Sequence, residues 1–586
     1  MGYCLRLSWN ASECYTVLRI LCEVIPPLLG IAGSFLGKYL LDLFAKRLGI
    51  EESPKEFYIL IGCILLISIF QNVTEKMKQY IQMMHNELIN ERLSLMLMQR
   101  SSTVDMEYFD CTEYYDKLQA SVRDLGSISQ ILWNAMTFLG ACISLTVVFV
   151  VLWTAKPVYA VLLAVTAVPH SFFSTRYTKS LYELSMDQMN AERKKAYLQG
   201  ITLDRRYAQD IRLFGIGGML QERYHRIWQE VFGKKKTVLR KKTVITALFA
   251  CLPEVVMAVI GMDIGIRIFA GTATVGDYSL YTGMLRQFLT AFFMMVYALT
   301  NVYDNRLRIV NLKWVLAIKN KISDSGTRRL SFVNEIIFEH VSFSYPETHR
   351  QVLKDVSFSL KKDEKTVFVG MNGAGKTTLI KLLLRLYEPD AGYIKINGID
   401  IKEYRITDLR KNFSVYFQEM GNYSMSLYEN IEISDIGRKD IAAVVQALEQ
   451  SCGGDILEKA AHGLDTGLTR LFDKDGLELS GGQFQKIALA RCLYRRHTVL
   501  VLDEPSSNLD PKTEHDIFEH LKQVSDGKLT IFTSHRLSNI SLADKIIVLE
   551  QGRVVEEGTQ DELLKKNNQF AKLYQYQSKK FKAGEE

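Results

Sequence analysis

The sequence predicts a multidomain protein in which an all-α membrane domain precedes an α/β domain. The chain has 586 residues, more than one domain usually holds. Its first half contains six apolar stretches, each of a length that can cross a bilayer as a helix. From Ile336 onward, strand patterns alternate with helix patterns, which predicts a largely parallel sheet. We place the boundary at the end of a polar stretch, which gives domains of residues 1–325 and 326–586.

The six apolar stretches predict six transmembrane helices. They cover residues 15–42, 57–80, 130–154, 157–174, 244–268 and 278–302. A soluble domain with a large buried helical core is the alternative, but residues 143–153 are apolar on nearly every face, which favours lipid. The fourth stretch has the weakest pattern, because Pro157, Pro169 and His170 bracket a short run.

The links between the spans predict the orientation in the membrane. The link of residues 175–243 carries 16 Lys or Arg against 7 Asp or Glu, whereas the link between spans three and four offers only Lys156. Basic residues near span ends mark the cytoplasmic side, so we expect both long links, both termini and the second domain in the cytoplasm. Because the basic residues flank membrane spans, we expect no nucleic-acid partner. The nine cysteines lack metal-ligand spacing and are interpreted as small apolar residues.

Ionisable residues inside spans are costly and mark candidate functional positions. Four such residues occur, Glu23, Glu254, Asp263 and Arg286. Asp263 and Arg286 lie at similar distances from the outer ends of their spans, which makes an ion pair between them one hypothesis. Glu23 and Glu254 lie deeper and either face a polar cavity or form a hydrogen bond between helices. The sequence leaves the roles of all four open.

A glycine-rich loop in the second half predicts a phosphate-binding site. Residues 370–377 fit G-x-x-x-x-G-K-[ST], between an apolar strand pattern and a helix pattern. Backbone N–H groups of such a loop surround phosphate oxygens at the positive end of the following helix. Lys376 would reach the β- and γ-phosphates, and the Thr377 hydroxyl would ligate Mg²⁺. The predicted cradle comprises Gly370, Asn372, Gly373, Ala374, Gly375, Lys376, Thr377 and Thr378.

Two further segments predict the rest of the nucleotide chemistry. Asp503 and Glu504 follow the apolar run of residues 499–502, at the strand end where open α/β sheets place ligands. Asp503 would hold Mg²⁺, and Glu504 would polarise a water for attack on the γ-phosphate. A second helix start with anion-binding character comprises Ser480, Gly481, Gly482 and Gln483. Since one cradle already holds one ATP, this second helix start makes best sense if it closes over the ATP of another subunit.

The motifs GMNGAGKTT, LSGGQ, VLVLDEP and TSH, in this order, resemble the nucleotide-binding domain of an ABC transporter. Six spans ahead of them resemble a half-size exporter. The resemblance implies that Tyr345 stacks on adenine and that Gln418 touches Mg²⁺ and the attacking water. It also implies that Asp510 lies in the D-loop and that His535 is the switch histidine. The turns at residues 108–115 and about 207–218 resemble the coupling helices, the second of which docks on the partner's nucleotide domain in this family.

The resemblance implies ATP-driven export by a dimer of twelve spans in the cell membrane. ATP and Mg²⁺ would be the cofactors, with two ATP held between the cradle of one chain and the LSGGQ segment of the other. A homodimer is expected and a heterodimer is allowed; the transported molecule is a peptide, lipid or drug-like compound. Asn508 stands where Ala is usual in the family, and residues 472–476 lack the usual Glu-rich form. An importer of metal-chelator complexes and an ATP-gated channel or regulator remain as alternatives.

Overall fold

The computed structural model describes residues 2–47, 55–348, 350–505, 511–534, 540 and 543–582. The chain divides into two compact units. The membrane unit comprises Met1–Thr103 and Asp116–Ile318, and the nucleotide unit comprises Val104–Tyr115 and Lys319–Glu586. The nucleotide unit therefore includes a short segment that the chain supplies between two membrane helices.

The membrane unit is entirely helical in the described residues. Its helices, with α4 of the nucleotide unit given in chain order, are α1 (Gly2–Ala11), α2 (Glu13–Arg47), α3 (Lys55–Thr103), α4 (Met106–Asp110), α5 (Thr112–Arg123), α6 (Gly126–Ala155), α7 (Pro157–Asp187), α8 (Met189–Leu203), α9 (Ala208–Leu213), α10 (Gly217–Phe269) and α11 (Val275–Ala317).

Six of these helices, α2, α3, α6, α7, α10 and α11, are long and apolar enough to cross a membrane, among the residues that the structure describes. The six predicted spans are thereby confirmed. Several helices continue well beyond the apolar part, and α10 has 53 residues. Such extensions form because the polar links carry few helix-breaking residues, and a helix continues until Pro, Gly or a cap ends it.

The core of the membrane unit lies among α6, α7, α10 and α11. Leu152, Leu163, Ile260 and Leu285 are each almost fully buried there. At the start of α11, Thr274 and Asp277 form a reciprocal capping box that satisfies free backbone N–H groups. Both predicted turns in the long links contain a short helix, α4 in one and α9 in the other.

The nucleotide unit contains two sheets with helices around them. The strands are β1 (Glu335–Ser344), β2 (Gln351–Lys361), β3 (Lys365–Val369), β4 (Ala391–Ile396), β5 (Ile399–Asp400), β6 (Phe413–Tyr416), β7 (Val499–Asp503), β8 (Leu529–Ser534), β9 (Lys545–Glu550) and β10 (Arg553–Gly558). The helices are α12 (Lys376–Leu383), α13 (Ile406–Lys411), α14 (Leu427–Glu432), α15 (Ile441–Gln450), α16 (Gly454–Lys459), α17 (Gly481–Tyr494), α18 (Pro511–Val524), α19 (Gln560–Lys566) and α20 (Gln569–Lys582).

Strand order brings the functional loops together. The larger sheet has the order β10-β9-β3-β8-β7-β6, in which β9 to β6 are parallel and β10 is antiparallel. The smaller sheet, β2-β1-β4-β5, is antiparallel. Because β3, β7 and β8 are parallel neighbours, their carboxyl ends meet at one edge of the sheet, where such folds bind ligands. The predicted α/β domain with a largely parallel sheet is confirmed.

Candidate nucleotide-binding site

The loop between β3 and α12 has the backbone geometry of a phosphate cradle. Gly375 lies at the start of α12 with φ of 105°, a left-handed conformation that favours glycine. A Cβ on Gly375 would lie 2.6 Å from Leu353 Cδ2, and one on Gly370 would lie 2.4 Å from the Leu549 carbonyl oxygen. Gly370 is therefore required by the close approach of the Leu549 backbone, and Gly375 by its left-handed conformation. The first N–H groups of a helix have no partner within it, which suits the start of α12 to bind an anion.

Lys376 is buried beneath this loop. Its Nζ donates hydrogen bonds to the Gly370 carbonyl at 2.7 Å and the Met371 carbonyl at 3.4 Å, and lies 4.0 Å from Glu504 Oε1. Burial lowers the pKa of Lys376, and the nearby carboxylates of Glu504 and Asp503 oppose this shift. The lysine is thus a buried cation whose partners are mostly neutral carbonyls, which suits it to meet an anionic ligand in the loop.

Asp503 and Glu504 stand beside the cradle at the end of β7. Asp503 Oδ2 accepts a hydrogen bond of 2.8 Å from Thr377 Oγ1. Hydroxyl and carboxylate oxygens are the ligands that Mg²⁺ prefers, so Thr377 and Asp503 fit the expected metal. Glu504 has φ of 52°, a left-handed backbone that is strained for a non-glycine residue.

A cavity of about 580 Å³ joins these groups. Its lining includes these predicted residues: Tyr345, Asn372, Gly373, Ala374, Gly375, Lys376, Thr377, Thr378, Gln418 and Glu504. Sequence reasoning missed five further residues of the lining, Arg350, Gln351, Val352, Lys354 and Gln551. The only available signal was two basic residues soon after Tyr345, and no motif marks them.

Tyr345 connects the cavity to other aromatic residues. Its hydroxyl lies 3.1 Å from Thr378 Oγ1, and its ring packs edge-to-face on Tyr387 with centroids 5.3 Å apart. Lys381 Nζ lies 5.4 Å from the centre of the Tyr345 ring, within cation–π range. An aromatic ring held in this way at one end of the cavity can stack on a planar base.

Tyr387 in turn contacts α4, which belongs to the same unit. Its hydroxyl donates a hydrogen bond of 2.6 Å to Asp110 Oδ2. Burial, and then the Asp110 carboxylate, raise the pKa of Tyr387. Two further anchors hold this segment, because Asp105 Oδ2 accepts from the backbone N–H of Lys321 at 2.6 Å and Glu107 pairs with the Lys321 side chain. The predicted turn at residues 108–115 therefore packs against the rest of the nucleotide unit, of which it is a part.

The LSGGQ segment stands apart from this cavity. Ser480 and Gln483 form a capping box at the start of α17, in which Ser480 Oγ accepts from the Gln483 N–H at 3.3 Å. Gly481 and Gly482 form the first turn of α17, and none of the four residues lines the cavity. Asp510 and His535 lie outside the described residues.

Of the four ionisable residues singled out in the predicted spans, two form ion pairs and two are exposed. Glu23 is buried, with Lys78 Nζ at 2.8 Å and Arg19 Nη2 at 3.5 Å from its Oε2. Asp263 pairs with Lys156 at 2.9 Å and Arg267 at 3.6 Å.

The hypothesis of an Asp263–Arg286 ion pair is wrong. The turn between α6 and α7 brings Lys156 to Asp263, and Arg267 lies one helical turn away on the same face. Glu254 and Arg286 are exposed in the single chain and form no ion pair within the described residues.

Comparisons with known proteins agree with this architecture. A family model described as ABC transporter transmembrane region matches residues 15–292, and one described as ABC transporter matches residues 353–507. The chain is similar to the subtilin transport ATP-binding protein SpaT of Bacillus subtilis, with 31% identity over 519 residues, 87% of this chain and 84% of that protein. It is also similar to the nisin transport ATP-binding protein NisT of Lactococcus lactis subsp. lactis, with 25% identity over 97% of this chain and 95% of that protein.

Two further similarities complete the comparison. The ATP-dependent lipid A-core flippase of Alcanivorax borkumensis is 31% identical over 374 residues, which is 62% of each chain. Among solved structures, that of a bacterial Atm1-family ABC exporter with ATP bound superposes with a TM-score of 0.79 at 23% identity, covering 95% of this chain and 98% of the other. The structural likeness supports the fold.

Proposed function

Because this chain belongs to the ABC transporter family, as a multi-pass, ATP-hydrolysing half-size exporter, we propose that it exports a peptide from the cytoplasm as a homodimer. The observation that carries the peptide assignment is the extent of similarity. The subtilin and nisin transport proteins align over 87% and 97% of the chain, whereas the lipid A-core flippase aligns over 62%. In this proposal residues 1–325 form the membrane domain and residues 326–586 the nucleotide-binding domain, with both termini cytoplasmic.

The predicted site residues would divide the chemistry of hydrolysis among them. Lys376 and the loop N–H groups hold the phosphates of ATP, and Tyr345 stacks on the adenine. Thr377 and Asp503 hold Mg²⁺, which supplies positive charge to the phosphate oxygens when bound. Glu504 accepts the proton of the attacking water, while Gln418 and His535 orient the water and the γ-phosphate.

The position of the LSGGQ segment supports a dimer. Ser480 and Gly482 do not line the cavity of their own chain, yet they form a helix start suited to bind phosphate. A second chain can bring its α17 over the cradle. Each of the two sites then needs both chains.

The exposed tip beside α9 supports coupling between chains. Leu213, the last residue of α9, and Phe214 directly after it are 76% and 67% exposed. We infer that they dock on the nucleotide domain of the partner, while α4 serves the nucleotide unit of its own chain.

A mixed dimer tests the arrangement of the two sites. One chain carries Lys376→Ala and the other Ser480→Arg. If each site uses the cradle of one chain and the LSGGQ segment of the other, both lesions fall in one site and the second site stays intact. Hydrolysis should then exceed that of either mutant homodimer. A cross-link within one chain, rather than between chains, between cysteines introduced at Ser480 and Asn372 would contradict the proposal.

Transport in membrane vesicles tests the cargo and the direction. Inside-out vesicles should accumulate fluorescein-labelled nisin or subtilin only with ATP, and vesicles carrying Glu504→Gln should not. Movement of a labelled lipid without movement of either peptide would favour the flippase function that the lipid A-core relatives represent. Uptake confined to right-side-out vesicles would indicate an importer.

A further inference from the structure

A buried threonine on β8 contacts both acidic residues of the nucleotide site. Thr533 lies directly opposite Asp503 in the parallel pairing of β7 and β8, and its side chain is fully buried. Its Oγ1 donates a hydrogen bond of 2.5 Å to Asp503 Oδ1 and accepts one of 3.0 Å from the Glu504 N–H. The hydroxyl thus uses its single proton on one acid and a lone pair on the backbone of the other.

The first contact fixes the orientation of the Asp503 carboxylate. Thr377 Oγ1 donates to Oδ2 at 2.8 Å, so each oxygen of Asp503 receives a hydroxyl hydrogen bond. Thr377 is itself an expected Mg²⁺ ligand and lies in the first turn of α12, the helix that follows the cradle. Thr533 contacts the other carboxylate oxygen of Asp503, from the neighbouring strand β8. It can therefore hold the carboxylate in place while Thr377 engages a ligand.

The second contact fixes the backbone from which Glu504 projects. Glu504 has a left-handed φ of 52°, which a non-glycine residue keeps only where surrounding contacts enforce it. Its N–H is held by Thr533, through the hydroxyl at 3.0 Å and the Thr533 carbonyl at 3.3 Å. The direction of the Glu504 side chain, and hence the location of the expected base, depends on this anchor.

We propose that Thr533 is a positioning residue of the nucleotide site, whose hydroxyl aligns the Asp503 carboxylate and the Glu504 backbone at the same time. The proposal rests on the assignment of this site to ATP hydrolysis. Thr530, on the same strand, provides a contrast. It is also fully buried, but its hydroxyl has no hydrogen-bond partner among the described residues. A buried threonine on β8 is therefore not in itself a feature of the site.

Substitution by valine tests the hydroxyl without changing the size of the side chain. We expect Thr533→Val to lower kcat for ATP at least tenfold, because the base is misaligned, with a smaller change in KM. The Mg²⁺ concentration needed for half-maximal binding of a fluorescent ADP should rise at least threefold, whereas binding of the same ADP in EDTA should not change. Thr533→Ser should restore both quantities, since the serine hydroxyl makes the same contacts.

Thr530→Val is the matched control and should leave kcat, the Mg²⁺ requirement and the thermal midpoint near those of the original chain. Wild-type values in Thr533→Val would overturn the proposal. Equal losses in Thr533→Val and Thr530→Val, accompanied by lower thermal midpoints, would also overturn it, because they would assign Thr533 a packing role. If Thr533→Val does not fold, Thr533→Ala also removes the hydroxyl, and normal values in that variant would likewise overturn the proposal.

These measurements also separate this inference from the proposed function. They use nucleotide binding and hydrolysis, so a failure of peptide export leaves them unaffected. If the original chain itself fails to hydrolyse ATP, the assignment of the site fails, whatever the variants do.

Discussion

The nucleotide cavity and the membrane helices both bury ionisable side chains, and they do so in different ways. At the nucleotide site, Lys376 lies 4.0 Å from Glu504 and close to Asp503, although both acids are far from it in sequence. In the membrane unit, Glu23 is enclosed by Arg19 and Lys78, while Glu254 and Arg286 stay exposed in the single chain. Lys376 and Glu504 line a cavity that a ligand can enter, whereas the buried Glu23 already has two cationic partners within the membrane unit.

The largest effect is expected from removing Glu504, the proposed base. Glu504→Gln should lower hydrolysis by about 10²–10⁴-fold, which is the usual contribution of a general base. Binding of ATP should persist, because the cradle remains whole. Turnover can be measured by phosphate release and binding by a fluorescent ATP. Near-normal turnover would mean that another group activates the water, and the cavity would lose its central acid.

The next largest effect is expected from removing the buried carboxylate of Glu23. Glu23→Leu leaves the buried Arg19 and nearby Lys78 without their carboxylate, which we expect to cost about 3–5 kcal/mol of stability. The measurement is the thermal unfolding midpoint in detergent. Glu254→Leu is the control, since Glu254 is exposed and unpaired among the described residues, and it should change the midpoint little. Equal midpoints in the two variants would remove the distinction between structural and exposed charges.

Lys376→Ala should have a smaller energetic effect, and unlike Glu504→Gln it should weaken the binding of ATP. Charge-assisted hydrogen bonds contribute about 1.5–3 kcal/mol, so we expect ATP to bind roughly 10–100-fold more weakly, with turnover falling as well. Equilibrium binding of ATP measures the first change directly. Unchanged affinity would show that the buried cation does not serve the phosphates.

The smallest effect is expected at the link between the cavity and α4. Tyr387→Phe removes only the hydroxyl that donates to Asp110, a loss of about 1 kcal/mol. ATP affinity should stay constant while the amount of the proposed peptide substrate transported per ATP falls. Tyr404→Phe is the control, since its hydroxyl donates to the Ile396 carbonyl at 3.0 Å, within the nucleotide unit and away from α4. An unchanged transport ratio in Tyr387→Phe would confine the Asp110 contact to a structural role.

The same contrast explains what could be predicted from the sequence. Sequence motifs indicate the backbone conformation of short segments, and a parallel sheet brings the carboxyl ends of β3, β7 and β8 together. The residues near Lys376 could therefore be predicted from the sequence. A single charged residue in a membrane span does not indicate which residue it contacts. The partner of Asp263 depends on how α6, α7 and α10 are rotated, so Lys156 was missed and Arg286 was proposed instead. Arg350 and Lys354 were missed because no motif marks them, and Thr533 was missed because the TSH motif that contains it implied a role for His535 alone.

Two separate segments of the chain form the nucleotide unit, and this has a consequence for its biosynthesis. Residues 104–115 leave the ribosome long before their partners, since Asp110 precedes Tyr387 by 277 residues. At typical rates of synthesis this interval lasts roughly 15–55 s. During that time Asp105, Glu107 and Asp110 must remain hydrated, and their charge keeps the segment soluble until Lys321 and Tyr387 are made. The nucleotide unit can therefore be completed only after the last membrane helix has been synthesised, and a fragment beginning at Lys319 would lack one of its own parts.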